Sequence, residues 1–88
     1  MAWTVEYDPR VEKDLGGLDK RIPKEILDYM ETRIATSGNP KSFGKALRHS
    51  QKGLWRYRVR DYRIICEIQQ ERVVVLVVAV GHRSKVYG

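Results

Sequence analysis

Residues 54–83 decide the fold, and they read LWRYRVRDYRIICEIQQERVVVLVVAVGHR. A strand is predicted over residues 54–60, because apolar and charged residues alternate along it with the period of a half-buried β-strand. Two further strands are predicted over residues 62–69 and 72–80. Because the connections between them are too short for anything but hairpins, the three strands are expected to form an antiparallel meander.

The third predicted strand carries the longest apolar run of the chain. This run extends from Val73 to Val80 and is eight residues long. A strand that is apolar throughout is typical of a central strand covered on both faces, and we expect that position here. Eight residues are far fewer than the ~20 that a membrane-spanning helix needs. The N-terminus alternates apolar and polar residues, which is not the pattern of a signal peptide.

The first half of the chain predicts one strand and two helices. Residues 3–7 alternate and predict a short strand. Asp8 and Pro9 signal the start of a helix that runs to about Leu15. A second, longer helix begins near Asp19. Its residues form one apolar stripe, which includes Leu27 and a set that recurs every four positions: Ile22, Ile26, Met30 and Ile34.

A loop separates the second helix from the meander. Residues 37–40 read SGNP and stop the helix. Residues 39–53 are predicted as loop, with one helical turn around residues 43–47. The element order is then β-α-α-β-β-β, an α+β fold with a helical hairpin packed on one face of an antiparallel sheet. With 88 residues, a single domain is expected over 1–88.

Cysteine content indicates the redox compartment, and the charge distribution indicates the class of partner. One Cys allows no intrachain disulfide and no Cys-based zinc site, so a reducing compartment such as the cytosol is expected. Seventeen Lys and Arg against eleven Asp and Glu give a net charge of +6. The chain beyond Gly44 holds ten basic and three acidic residues, so the whole excess lies there. This asymmetry predicts a polyanion partner, most often a nucleic acid; the alternative is a solvated basic face without a partner.

An arginine ladder, defined as Arg56, Arg58 and Arg60, lies on the first meander strand. Alternation puts these three residues on one face of the strand, opposite Trp55, Tyr57 and Val59. Guanidiniums two residues apart are ~6.5 Å from each other, which is close to the phosphate spacing of a nucleic-acid strand. Arg63 joins the ladder if the hairpin register allows. The alternative is an edge strand protected from aggregation by charge, but the choice of Arg over Lys favours phosphate binding.

Four segments of the second half resemble the RelE branch of the RelE/ParE toxin superfamily. They are LWRYRV (54–59), DYRIICEI (61–68), VVVLVVAVGHR (73–83) and SKVY (84–87). The resemblance implies a small basic toxin of a toxin–antitoxin pair. RelE-like members enter the ribosomal A site and cleave the bound mRNA. ParE-like members share the fold, inhibit DNA gyrase and lack the nuclease residues.

The resemblance also implies a set of site residues. Carried over by position, the catalytic residues are Arg56, Arg58, Arg63, Arg83 and Tyr87. By resemblance Arg83 is the leaving-group acid, and Tyr87 stacks on or orients the exposed nucleotide. RNA and ribosomal RNA contacts are expected from Arg48, Lys52 and Arg60. No carboxylate cluster suits a two-metal nuclease, so attack by the RNA 2′-OH without metal or other cofactor is expected.

The general base is left open by a departure from the family pattern. RelE relatives commonly have Lys where this chain has Arg56 and Arg58, and Arg effectively cannot lose its proton. Cleavage is then expected to depend on positioning and charge stabilisation, or another group takes the proton. His82 and Lys85 are the candidates. Other branches pair a His near His82 with a Glu before the meander, where this chain has Lys45, so that version is incomplete.

The resemblance implies two partners and a location. The partners are a cognate RelB-like antitoxin, with which a hetero-oligomer forms, and the ribosome with mRNA in its A site. Alone, the protein is expected to be a cytoplasmic monomer without membrane contact. Two alternatives stay open: a ParE-like toxin that inhibits gyrase without catalysis, and a basic nucleic-acid-binding module whose binding is salt-sensitive.

Overall fold

The computed structural model describes residues 2–48 and 53–82. Its five strands and two α-helices confirm the α+β class. In chain order the elements are β1 (Thr4–Tyr7), α1 (Pro9–Gly16), α2 (Arg21–Tyr29), a π-helical turn (Met30–Ile34), a 3-10 turn (Pro40–Ser42), β2 (Lys45–Ala46), β3 (Trp55–Val59), β4 (Tyr62–Gln69), a 3-10 turn (Gln70–Arg72) and β5 (Val74–His82).

Helix α1 begins and ends where the sequence predicts. The Asp8 carboxylate accepts a hydrogen bond from the Arg10 backbone N–H at 2.9 Å, which caps the first turn. Pro9 follows at the first helical position, where a missing N–H costs least. At the other end, the Gly17 N–H donates to the Asp14 carbonyl. Between these ends, Val11 is fully buried in the hydrophobic core.

Helix α2 and the π-helical turn that follows it bury the predicted apolar stripe. Ile26, Met30 and Ile34 have no exposed surface, and Ile22 is 9% exposed. Leu27 is 40% exposed, so the prediction that it belongs to the stripe is wrong. The reason is geometric, because successive residues lie about 100° apart around a helix. Neither this helix nor any other in the described residues is long and apolar enough to cross a membrane.

The five strands form one sheet in the order β1-β5-β4-β3-β2. Strands β3, β4 and β5 form the predicted antiparallel meander. Strand β1 pairs with β5 in parallel, so the expectation of an antiparallel sheet is wrong for this edge. The two helices carry the chain back across the sheet between β1 and the meander, and the direction of such a long connection has no local sequence signal.

Strand β5 begins and ends two residues later than predicted. It lies between β1 and β4 and pairs with both, so it is an interior strand as expected. Val75 and Val77 enter the core on the helix face, and on the other face Val74 is 4% exposed and Leu76 is half-buried. The register shifts by one residue between Ile65 and Cys66, since Cys66 pairs with Val77 and Ile65 with Ala79. This bulge reverses the alternation along the last part of β5.

The sheet therefore has two unlike faces. The helix face packs on α1 and α2 and forms the hydrophobic core with residues such as Tyr57, Ile64 and Val77. The open face carries the alternate residues, among them Arg56, Arg58 and Arg63. Among the described residues no helix covers the open face. The helical turn predicted around residues 43–47 is wrong, because this segment contains the short strand β2, paired with β3, and the 3-10 turn lies before it at Pro40–Ser42.

Candidate functional site

Two strands bring three predicted site residues together on the open face. In the β3–β4 hairpin, Arg58 lies directly opposite Arg63, and Arg56 lies opposite Ile65. Side chains directly opposite each other in an antiparallel pair share a face, with Cβ atoms about 4.5–5.5 Å apart. The register therefore places Arg63 beside Arg56 and Arg58. The sequence predicts this position on the condition that the hairpin register allows it, and the observed register does.

A fourth cation comes from β2. Lys45 pairs directly with Arg56, on the side of β3 away from β4. These residues surround a cavity of about 440 Å³, which Gly44 and Tyr57 also line. We call the four cations around it the cationic cluster: Lys45, Arg56, Arg58 and Arg63.

Two hydrogen bonds from β3 hold the segment before β2. The Trp55 indole N–H donates to the Phe43 carbonyl at 2.6 Å, and the Tyr57 hydroxyl donates to the Pro40 carbonyl at 2.7 Å. Tyr57 is 1% exposed, and this burial raises the pKa of its hydroxyl, which keeps its proton for the hydrogen bond. The segment that carries Lys45 is thus fastened to the strand that carries Arg56.

Gly44 permits the close approach of the two strands. Its φ of +69° lies in the left-handed region that glycine tolerates best. A Cβ atom there would lie 2.2 Å from the Arg56 carbonyl oxygen and 2.8 Å from the Tyr57 ring. Only a residue without a side chain fits between the backbone of β3 and the start of β2.

The cationic cluster brings like charges close together. Like charges directly opposite each other in a sheet destabilise it, and Arg58 opposite Arg63 is such a pair. Arg58 lies 3.8 Å from the Asp61 carboxylate, but both side chains are more than 60% exposed, so this ion pair contributes little. The Nε atom of Arg63 is covered by protein, which limits its access to water. A bound anion would relieve this repulsion, and phosphate fits the Arg fork.

Arg60 does not lie on the same face as Arg56 and Arg58, the other two residues of the predicted ladder. Strand β3 ends at Val59, and Arg60 takes a left-handed backbone conformation with φ of 56° in the hairpin turn. Its guanidinium donates two hydrogen bonds to the Glu25 carboxylate of α2, at 2.6 and 2.8 Å. This side-chain hydrogen bonding lowers the pKa of Glu25 and raises the pKa of Arg60. The prediction that Arg60 shares a face with Arg56 and Arg58 is therefore wrong, because the turn directs its side chain to the helices.

His82 lies on the helix face, away from the cationic cluster. It ends β5 opposite Tyr62, and the two rings meet edge to face with centroids 5.6 Å apart. The bulge explains this placement. Before the bulge Val77 enters the core, and after it Val80 does, so the alternation is shifted by one residue. His82, two residues beyond Val80, therefore lies on the same helix face. His82 does not line the cavity beside Arg63, which argues against it as the proton acceptor there.

The remaining predicted site residues separate into two groups. Arg48 is described and exposed, two residues beyond β2, and is not among the residues that line the cavity. Four predicted residues lie outside the described residues: Lys52, Arg83, Lys85 and Tyr87. Within residues 2–48 and 53–82, no group of three or more His, Cys, Asp or Glu could hold a metal ion.

Sequence reasoning did not place Lys45 in the site. It noted this residue only as a departure from a family pattern. Strand β2 has two residues, and a strand of that length shows no alternation that could reveal which face a side chain occupies. The pairing of β2 with β3 is a tertiary contact, so no signal in the chain itself identifies Lys45.

Comparisons with known proteins agree with this architecture. A family model described as the ParE toxin of the type II toxin–antitoxin system parDE matches residues 5–87. Toxin RelG of Mycobacterium tuberculosis is 29% identical over 87 residues, which cover 99% of this chain and 98% of RelG.

Two solved structures are similar as well. A chain of the toxin–antitoxin complex RelBE2 from Mycobacterium tuberculosis superposes with a TM-score of 0.83 at 26% identity, covering 97% of this chain and 95% of that one. The isolated RelE toxin of E. coli superposes with a TM-score of 0.70 at 24% identity, covering 98% of this chain and 92% of that one, and supports the fold alone.

Proposed function

The chain belongs to the ParE toxin family, within the RelE/ParE superfamily of type II toxins, and from this premise we propose that it is a ribosome-dependent endoribonuclease. It is a toxin of a toxin–antitoxin system, and the predicted superfamily is confirmed. The proposed substrate is mRNA in the ribosomal A site. The observation that carries the proposal is Arg58 opposite Arg63, with Arg56 and Lys45 around the same cavity.

The cationic cluster suits cleavage by the RNA itself. In the proposed reaction, the 2′ oxygen attacks the adjacent phosphorus, the O2′–P bond forms and the P–O5′ bond breaks. The products are a 2′,3′-cyclic phosphate and a 5′-hydroxyl end. The phosphorane between them carries extra negative charge, and fixed cations aimed at that charge lower the barrier. The position of Arg58 directly opposite Arg63 on adjacent strands supports this role.

The proton transfers remain predictions. The 2′ proton must leave and the 5′ oxygen must gain one, but an Arg side chain does not give up its proton in proteins. The same property argues against Arg83 as leaving-group acid, the role expected by resemblance, and leaves it charge stabilisation at the 5′ oxygen. Tyr87 as nucleotide contact and Lys85 as acid or base are still expected by resemblance, and His82 is the weakest candidate because it lies on the helix face.

An antitoxin is the second proposed partner. The similar RelBE2 structure is a toxin–antitoxin complex. We propose that a RelB-like antitoxin forms a hetero-oligomer with this chain and neutralises it, and that the protein alone is a monomer. Action on ribosomes would place the protein in the cytoplasm.

The test compares Arg63, on the open face of the sheet, with Arg60, which contacts helix α2. Purified wild-type protein, Arg63→Met and Arg60→Met are incubated with programmed ribosomes or with the same free mRNA, and primer extension maps the cuts. We expect wild type to cut within the A-site codon on ribosomes only. Arg63→Met should cut about 10²- to 10³-fold more slowly, the typical effect of losing one donor to a developing charge. Arg60→Met should cut within about threefold of wild type, because Arg60 contacts Glu25 on the helices and does not line the cavity, which argues against the RNA contact expected of it.

Gyrase inhibition is the second candidate function, because the matching family model is that of the ParE toxin. A supercoiling assay with the same three proteins separates the two. Absence of cuts on ribosomes, together with gyrase inhibition that Arg63→Met leaves intact, would refute the nuclease proposal. Salt-sensitive RNA binding with neither activity would leave only a nucleic-acid-binding module.

A further inference from the structure

We propose that Lys45 and Arg56 form a second phosphate subsite, which binds the phosphodiester next to the one held by Arg58 and Arg63. The inference deepens the proposed function and rests on it for the identity of the strand as RNA. The substrate class is a single-stranded polynucleotide with at least two successive phosphodiesters.

The spacing of the cationic cluster supports two subsites. Arg56 and Arg58 are two residues apart on β3, so they share a face and are ~6.5 Å apart along the strand. Each has a cationic neighbour directly across the sheet: Lys45 lies opposite Arg56, and Arg63 lies opposite Arg58. The cluster thus consists of two cation pairs at the spacing of successive phosphates, and both pairs line one cavity.

The fold holds Lys45 in this position. Strand β2 has two residues, yet Trp55 and Tyr57 each donate a hydrogen bond to a carbonyl in the segment before it. Gly44, directly before Lys45, has a conformation and a clearance that only glycine satisfies. These contacts place a second cation beside Arg56, so that both can contact one anion.

Lys41 provides a matched control. It lies in the same segment and carries the same charge, but its ammonium lies over the Trp55 ring, 5.7 Å from the centroid. Trp55 packs against the core, so Lys41 belongs to the helix face. Replacing Lys41 and replacing Lys45 change the net charge equally, and only the second removes a cation from the cavity.

The experiment measures RNA binding without cleavage. The probe is a fluorescent hexanucleotide with 2′-O-methyl groups, which removes the nucleophile, and the readout is anisotropy over a range of salt concentrations. We expect Lys45→Met to weaken binding about five- to tenfold, the effect of one charged contact in a partly exposed site. The slope of log K against log salt should fall by about 0.7, the value for one phosphate contact on a single strand. Lys41→Met should bind like wild type.

A charge-conserving variant tests the nature of the role. Lys45→Arg keeps the cation and is expected to bind the probe, and to cleave on ribosomes, within about threefold of wild type. Equal binding by Lys45→Met and Lys41→Met would overturn the proposal. So would a Lys45→Arg protein that binds the probe as weakly as Lys45→Met, because a phosphate subsite needs a cation at this position and Arg supplies one.

The two proposals fail separately. If wild type does not cleave mRNA on ribosomes but Lys45→Met still loses probe affinity and salt slope, the nuclease function fails and the subsite stands. If wild type cleaves and Lys45→Met neither binds nor cleaves more weakly, the subsite fails and the nuclease stands. Thermal unfolding of each variant checks that the protein is folded.

Discussion

Replacing Gly44 by Ala should loosen the attachment of β2 to β3. The new Cβ atom would lie 2.2 Å from the Arg56 carbonyl oxygen, whereas real Cβ atoms essentially never approach closer than 3.0 Å. The two backbones must therefore separate by about 0.8 Å or more, the difference between these distances. This movement strains the hydrogen bonds that Trp55 and Tyr57 donate to the segment before β2.

Gly53 provides the matched control, because it has nearly the same conformation without the crowding. Its φ is +66°, and a Cβ atom there would have nothing within 4 Å. Gly53→Ala should cost about 1 kcal/mol, since the left-handed strain of about 1–2 kcal/mol is partly offset by a stiffer unfolded chain. Gly44→Ala adds about 1 kcal/mol for each of the two weakened hydrogen bonds, or about 3 kcal/mol in all.

Urea unfolding of both variants measures this difference directly. In thermal unfolding, 1 kcal/mol corresponds to about 4–8 °C for a domain of this size, so Gly44→Ala should lose roughly 12 °C or more. It should also lose affinity for the hexanucleotide, because Lys45 moves with Gly44. If the two variants lose equal stability, the close approach at Gly44 does not constrain the fold, and the support for a fixed Lys45 is lost.

Three further predictions follow from buried or paired groups. Tyr57→Phe should cost about 1–2 kcal/mol in urea unfolding, since it leaves the buried Pro40 carbonyl without its donor. Arg60→Gln should raise the pKa of Glu25 in an NMR titration, because hydrogen bonding to Arg60 lowers it. The pair stabilises the fold fully above the ordinary Glu pKa of about 4.3, and this stabilisation is lost as pH falls through the lowered pKa of the folded protein. An unchanged Glu25 titration would refute the pairing. Cys66 is fully buried, which raises the pKa of its thiol, so a thiol reagent should label it only after unfolding in urea, and rapid labelling of the folded protein would contradict this burial.

Local patterns were sufficient for most of the fold. The α1 cap depends on Asp8 and Pro9, which are adjacent in the chain, and the stripe of α2 depends on a spacing of four residues. In β3, the period of two correctly separates Tyr57, which enters the core, from Arg56 and Arg58. Each of these features depends on residues a few positions apart, and for this reason the sequence shows them.

The candidate site was predictable only in part. Arg56, Arg58 and Arg63 could be placed together because a two-residue hairpin leaves little freedom of register. Arg60 continues the same alternation but belongs to the turn, and its contact with Glu25 joins residues 35 positions apart. His82 was displaced by a bulge in β5, and the uniformly apolar sequence of that strand gives no sign of where the extra residue falls.

The sequence by itself determined the helices, the meander, the arginine-bearing face of β3 and the basic second half of the chain. Only the tertiary structure decided the parallel pairing of β1 with β5, the addition of β2 and the placement of Lys45 beside Arg56. The physical reason is the range of the interactions. Periodicity and capping act within one element, whereas these pairings depend on which backbones meet after the helices have packed on the sheet.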